Sequence, residues 1–166
     1  MLTRQLLFSL VIAFGVINAP SVFSMELNKL QLKSLLPNND GVVNSNENVS
    51  TIAMIYQPGC KWCKKQGKLL AKIQRACASH ANVAIIGAYG STQKLKRELR
   101  HFDKNLPAFE ANKKFLIIIK GVEAFPTTIV FDKEGELIAK KRGYIKPKHL
   151  AQVMAAITEQ HCDIEI

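Results

Sequence analysis

Acidic residues are scarce: 13 Asp and Glu stand against 23 Lys and Arg in 166 residues, a formal net charge of +10. That balance points to anionic partners or surfaces and says nothing about fold. Cysteine is scarce too. Four cysteines in a chain of this length are too few for a disulfide-built scaffold, and the chain is long enough not to need one. No apolar run reaches the ~20 residues of a membrane-spanning helix; the longest, Leu6 to Ile17, covers 12 residues and is interrupted by Ser9 and Gly15. There is no internal repeat and no low-complexity tract. With 48% hydrophobic and 22% charged residues, the chain is neither disordered nor a polytopic membrane protein, and its length suits one packed domain.

The first 24 residues read as a secretory signal peptide. Arg4 supplies the positive start, Leu6 to Ile17 the apolar core, and Val22-Phe23-Ser24 the cleavage region before Met25. An uncleaved anchor is the alternative, because Pro20 to Phe23 prolong the apolar character. Export predicts a periplasmic protein whose cysteines meet an oxidising compartment. Residues 25–48 read as an N-terminal extension and linker. Leu27, Leu30 and Leu35 predict a short amphipathic helix ended by Pro37, either docking on a partner or packing back on the domain, and Asn38-Asn39-Asp40-Gly41 predicts a turn.

Residues 49–166 carry the regular pattern. Thr51 to Tyr56 is a continuous apolar run of strand length, as expected for a strand buried on both faces. Gln57-Pro58-Gly59 breaks it, and a helix is predicted from Cys60 to about Ser79, with Leu69, Leu70, Ile73 and Cys77 on its apolar side. A second strand is predicted over Val83 to Tyr89. Leu95, Leu99 and Phe102 then mark a helix that Asn105-Leu106-Pro107 ends. Phe115 to Ile119 fits a strand by residue type and a helix end by position. Thr127 to Phe131 and Glu136 to Lys141 flank a turn at Asp132-Lys133-Glu134-Gly135. Pro147 opens a last helix along Leu150, Val153, Met154 and Ile157. Helices covering a mixed sheet make this an α/β domain.

The chemistry concentrates at Cys60-Lys61-Trp62-Cys63. Thiols at i and i+3 in a first helical turn come within bonding reach, and the helix N-terminus favours the first as thiolate. Half of a zinc site has the same spacing, but Cys77 and Cys162 lie far apart in sequence and form no second close pair, so no metal is expected. A bridge over so short a loop stabilises little as a purely structural link, which favours redox work.

These residues resemble the thioredoxin superfamily from about Val49 to Gln160. The likeness rests on Cys60 and Cys63 after a strand, on Phe125-Pro126-Thr127 before the hairpin, on Phe131-Asp132-Lys133-Glu134-Gly135-Glu136 at its turn, and on Gly143. The segment from Pro126 to Asp132 is similar to exported bacterial members. The resemblance implies a thioredoxin-like central mixed sheet flanked by helices, and a cis peptide before Pro126, packed on the cysteine pair and presenting backbone to a substrate strand. An ordinary tight turn at Pro126 is the alternative. In such a site Cys60 exchanges disulfides with substrate, Cys63 resolves the mixed disulfide, and no added cofactor is needed. Lys61 favours the Cys60 thiolate. Trp62 either contacts substrate or packs on the surface.

One position departs from the reducing members of the family. They carry a buried acid six residues before the first cysteine, and here that residue is Met54. The resemblance further implies that the helices before Cys77 and Cys162 share a sheet face and end together, so a Cys77–Cys162 disulfide is expected. A buried free Cys77 beside a mobile Cys162 is the alternative.

Lys61, Lys64, Lys65, Lys68, Lys72 and Arg75 recur at helical spacing as one stripe, and Lys94, Lys96, Arg97 and Arg100 add to the basic character. A solvated face is the ordinary explanation; peripheral contact with an anionic membrane or an acidic client is the functional one. No nucleic-acid motif is present. His80, His101, His149 and His161 show no ligand spacing. The expected function is periplasmic thiol–disulfide exchange on the cysteines of exported proteins, leaning towards oxidase or isomerase, with a membrane or periplasmic redox partner. A reductase fed by a membrane electron donor, a Cu(I) chaperone and a non-catalytic client clamp are the rivals.

Overall fold

A computed structural model describes residues 31–37, 43, 48–159, 161, 162 and 164. Strands β1 (Lys33–Ser34), β2 (Thr51–Tyr56), β3 (Asn82–Gly87), β4 (Ala108–Glu110), β5 (Thr127–Phe131) and β6 (Leu137–Arg142) form one mixed sheet in the order β1-β4-β3-β2-β5-β6. Helices α1 (Lys61–Cys77), α2 (Thr92–Glu98), α3 (Lys113–Ile118) and α4 (Pro147–Ile157) connect and cover it. β2 runs parallel to β3 on one side and antiparallel to β5 on the other. The chain leaves β2 at the centre of the sheet, and the Cys-x-x-Cys segment follows directly.

Every residue of β2, β3 and β5 is buried. Alternation along the strands divides them between two cores. Ile52, Met54, Tyr56, Ile85 and Val130 face α1 and α4, where they meet Leu70, Ile73, Leu150 and Met154. Ala53, Ile55, Ile86, Ile129 and Phe131 face the opposite side with Phe109, Phe115 and Ile119. The two-sided burial explains why Thr51 to Tyr56 reads as a continuous apolar run.

Three regions differ from expectation, the first being β4, a short strand at Ala108–Glu110 that the sequence pattern does not anticipate. Phe115 to Ile118 is helical and Ile119 is the C-cap: Asn112 caps the start of α3, its Oδ1 accepting the Phe115 N–H at 2.8 Å, and this local bond outweighs the strand preference of Ile117 and Ile118. The predicted helix over Leu27 to Leu35 is not found in its described part. Lys33–Ser34 is a strand paired antiparallel with Glu110 and Phe109; Leu27 and Leu30 lie outside the described residues. Leu32 and Leu35 are both buried but in opposite cores, so their spacing reflects strand-like alternation through the sheet edge and not one face of a helix.

Candidate redox site

The site begins with a change of direction. Gly59 has φ +78°, the left-handed conformation that a glycine takes without strain, and it delivers Cys60 to the N-cap of α1. Cys60 Sγ accepts the N–H of Cys63 at 3.1 Å. The sulfur thus takes the place a serine or aspartate oxygen fills at most helix starts, and the same donor would stabilise it as a thiolate once the disulfide opens. Cys60 and Cys63 are joined by a disulfide with Cα atoms 5.2 Å apart. Cys60 is half-buried, whereas Cys63 is only 1% exposed. A partner molecule reaches the first sulfur and not the second.

Beneath the pair the surroundings are apolar. Met54 is fully buried in the same cluster as Cys63, and its cross-strand neighbour is Thr128. Thr128 Oγ1 and Gln66 Nε2 are buried without hydrogen-bond partners among the described residues. Tyr56, four residues before Cys60, donates its hydroxyl to Leu95 O at 3.2 Å. Burial holds that phenol protonated far into alkaline pH, with Glu98 and Glu110 acting in the same sense. No Asp or Glu is buried among the described residues.

Around the mouth the site is aromatic. Trp62 is 56% exposed, with its ring centre 5.4 Å from that of Tyr144. Lys65 Nζ lies over both rings, 5.4 Å from Trp62 and 4.9 Å from Tyr144. Tyr89, 59% exposed, meets Phe125 edge-on at 5.9 Å. Phe125 is half-buried and packs on the same cluster as Cys60. The Phe125–Pro126 peptide is cis. Pro126 and Thr127 are buried, and the Thr127 hydroxyl donates to Ala124 O at 2.7 Å.

The three loops are tied together. Gly143 N–H donates to Pro126 O at 2.7 Å, and Ile145 N–H donates to Gln66 Oε1 at 2.8 Å. Residues 143–145 therefore join the Pro126 loop to α1 and carry Tyr144 between them. Gly90 lies against Pro58, where an added Cβ would come within 2.8 Å of the proline ring. Gln66, Tyr89 and Tyr144 were not singled out by the sequence: each is an ordinary residue until the topology brings its loop or helix turn to the pair. The Gly preceding Tyr144 was the one available signal.

At the far end of α1, Cys77 and Cys162 are joined by a disulfide, Cα to Cα 5.7 Å, and both are buried. His80 and His161 stack there with ring centres 5.8 Å apart. No group of three or more metal-ligating side chains occurs among the described residues.

Comparison with known proteins agrees with this geometry. A family model for the thioredoxin-like domain matches residues 38–158. A search of curated protein sequences finds no match. Among solved structures, the exposed lipoprotein thioredoxin of Streptococcus pneumoniae is 19% identical with a TM-score of 0.63, covering 76% of this chain and 98% of its own. A thiol:disulfide interchange protein of the thioredoxin family from Chlorobium tepidum is 15% identical, TM-score 0.64, over 78% and 92% of the two chains. A DsbF homologue from Corynebacterium diphtheriae is 14% identical, TM-score 0.65, over 83% and 96%. The β2–Cys-x-x-Cys–α1 unit and the family match over most of the chain place this protein in the thioredoxin-like family.

Proposed function

We propose that this thioredoxin-type thiol–disulfide oxidoreductase acts in the periplasm on the cysteines of exported proteins, and that it works chiefly as an oxidant or isomerase. A substrate thiolate attacks Cys60 Sγ; the Cys60–Cys63 bond breaks and Cys63 leaves as a thiolate. A second substrate thiolate then attacks the substrate sulfur of the mixed disulfide and releases Cys60. Two electrons pass to the protein, the substrate gains a disulfide, and its two thiol protons go to solvent or to the cysteines. A membrane or periplasmic partner reoxidises the pair.

The observation that carries the direction is the contrast around the two sulfurs. Cys60 is half-exposed at a helix N-terminus, accepts the Cys63 N–H and has Lys61 beside it. All three features favour its thiolate, and stabilising the reduced form makes a pair more oxidising. Cys63 has Met54 and not an acid below it, so the proton acceptor that would serve a dedicated reductant is missing. Phe125, Pro126 and Thr127 border the site as the surface on which a substrate strand would lie. The signal-peptide pattern of residues 1–24 supports export, and no described helix is long and apolar enough to cross a membrane.

The test is the equilibrium reduction potential of the Cys60–Cys63 pair in glutathione buffers. About −120 to −180 mV is expected, the range of oxidants and isomerases. A value near about −270 mV would make the protein a reductant and turn the search towards a membrane electron donor.

A further inference from the structure

Disulfide exchange with a small thiol makes no use of the outer face of α1. The helix has 17 residues and not one Asp or Glu. Lys61, Lys64, Lys65, Lys68 and Lys72 fall within an arc of about 100° around the helix, which sets them on one face over about 16 Å of axis. Lys61, Lys65, Lys68 and Lys72 are exposed and Lys64 is half-exposed. Among the described residues the ion pairs are Lys33–Glu110, Arg75–Asp103 and Arg142–Glu123, so none of the five lysines has a carboxylate partner there. Like charges at such spacings weaken a helix, and cations in its first turn oppose its dipole. The stripe is unfavourable to the isolated fold, and an anion laid along it would relieve the repulsion.

The stripe has a definite beginning. It starts beside Cys60, and Lys65 links it to the Trp62 and Tyr144 rings. An anion bound along it is therefore delivered to the reactive sulfur. A bilayer pressed on the same face would instead cover the mouth of the site. We infer that the lysine face of α1 docks an acidic, extended segment of the partner protein that carries the exchanging cysteine. At about 3.3 Å per residue, 16 Å accommodates about five residues of extended chain. The acidic residues of the partner thus lie within about five positions of its cysteine. This inference rests on the exchange activity proposed above and specifies its substrate.

Two synthetic peptides test it, one with a cysteine flanked by Asp and Glu and one with the same cysteine flanked by Ser. Mixed-disulfide formation by the oxidised protein is expected to be about tenfold faster with the acidic peptide at low salt, the preference fading as salt is raised. The triple change Lys64→Ser, Lys68→Ser, Lys72→Ser is expected to bring the ratio of the two rates close to one, and the corresponding Lys→Arg triple to retain it. Equal rates with the parent protein, or a ratio that the Ser triple leaves unchanged, would overturn the inference. Trp62 is the sole tryptophan, so its fluorescence reads binding of an acidic peptide whose cysteine is replaced by serine. If no thiol exchanges at all, the activity proposal fails while binding that depends on the three lysines still upholds the docking face; absence of such binding overturns it. Loss of sedimentation with phosphatidylglycerol vesicles in the Ser triple, without any change in the peptide ratio, would assign the face to membrane and overturn the inference.

Discussion

The two ends of α1 each carry a disulfide, and the two bridges do opposite things. Cys60–Cys63 links residues three apart at the N-terminus, with one sulfur accessible. Cys77–Cys162 links residues 85 apart at the other end, with both cysteines buried. On the chain-entropy model the longer closure is worth about 3 kcal/mol more than the shorter. Accessibility and helix polarity favour exchange at one end; burial and a long loop favour permanence at the other. The same bond is chemistry or scaffold according to what surrounds it and how much chain it closes.

The largest effect expected is loss of exchange. Cys60→Ser should stop turnover in an insulin- or peptide-oxidation assay, while costing no more than about 2 kcal/mol in urea unfolding. Breaking the other end should do the reverse. Cys77→Ala with Cys162→Ala should lose about 4–5 kcal/mol of stability, and the reduction potential of Cys60–Cys63, measured where the variant is folded, should stay with the parent. A double variant that keeps its stability but shifts that potential would erase the contrast.

Midway along the helix, Gly67 tests how tightly the two ends are held to one frame. Alanine is ordinarily the better helix former by about 1 kcal/mol, yet a Cβ at Gly67 would lie 2.4 Å from the Phe102 ring. Gly67→Ala should therefore destabilise by about 1–3 kcal/mol, read from chemical denaturation. Equal or higher stability would mean that Phe102 gives way freely.

The smallest effect is alkaline. The Tyr56 phenol is raised by burial, so the folded state keeps a proton that the unfolded chain loses above about pH 10. Its contribution is complete below that pH and declines as pH rises, by up to about 1.4 kcal/mol per unit. Tyr56→Phe should flatten that part of the stability curve, measured by urea titration between pH 9 and 11. An unchanged slope would assign the alkaline loss to other groups.

The sequence made some of this readable and hid the rest for physical reasons. β2 is a continuous apolar run because helices cover both faces of the sheet centre, and α1 shows its period because only one side is buried. β4, only three residues long, is too short to show alternation, and β1 is a strand because β4 pairs with it, whatever its leucine spacing suggests. The cysteine pair was legible because its chemistry is local. The aromatic mouth was legible in part: Trp62 belongs to the motif and Phe125 to the Pro126 loop, but Tyr89 and Tyr144 arrive from separate loops, and only the fold makes them neighbours of the first two. The bond between Cys77 and Cys162 joins two segments 85 positions apart, so no local pattern announces it, and it is expected only because the resemblance brings the ends of two helices together.

The outer strand β6 has one more consequence. A sheet edge invites a second sheet to continue it, and natural proteins discourage this with charge. Here the edge runs Leu137-Ile138-Ala139-Lys140-Lys141-Arg142, with Lys140 turned back to donate to Ile119 O at 2.8 Å and Gly121 O at 2.6 Å. Two copies approaching along β6 would bring the Lys141 side chains together, with Arg142 of each partly offset by its own Glu123. A charge at the end of the outer strand works against continuation of the sheet by a second copy.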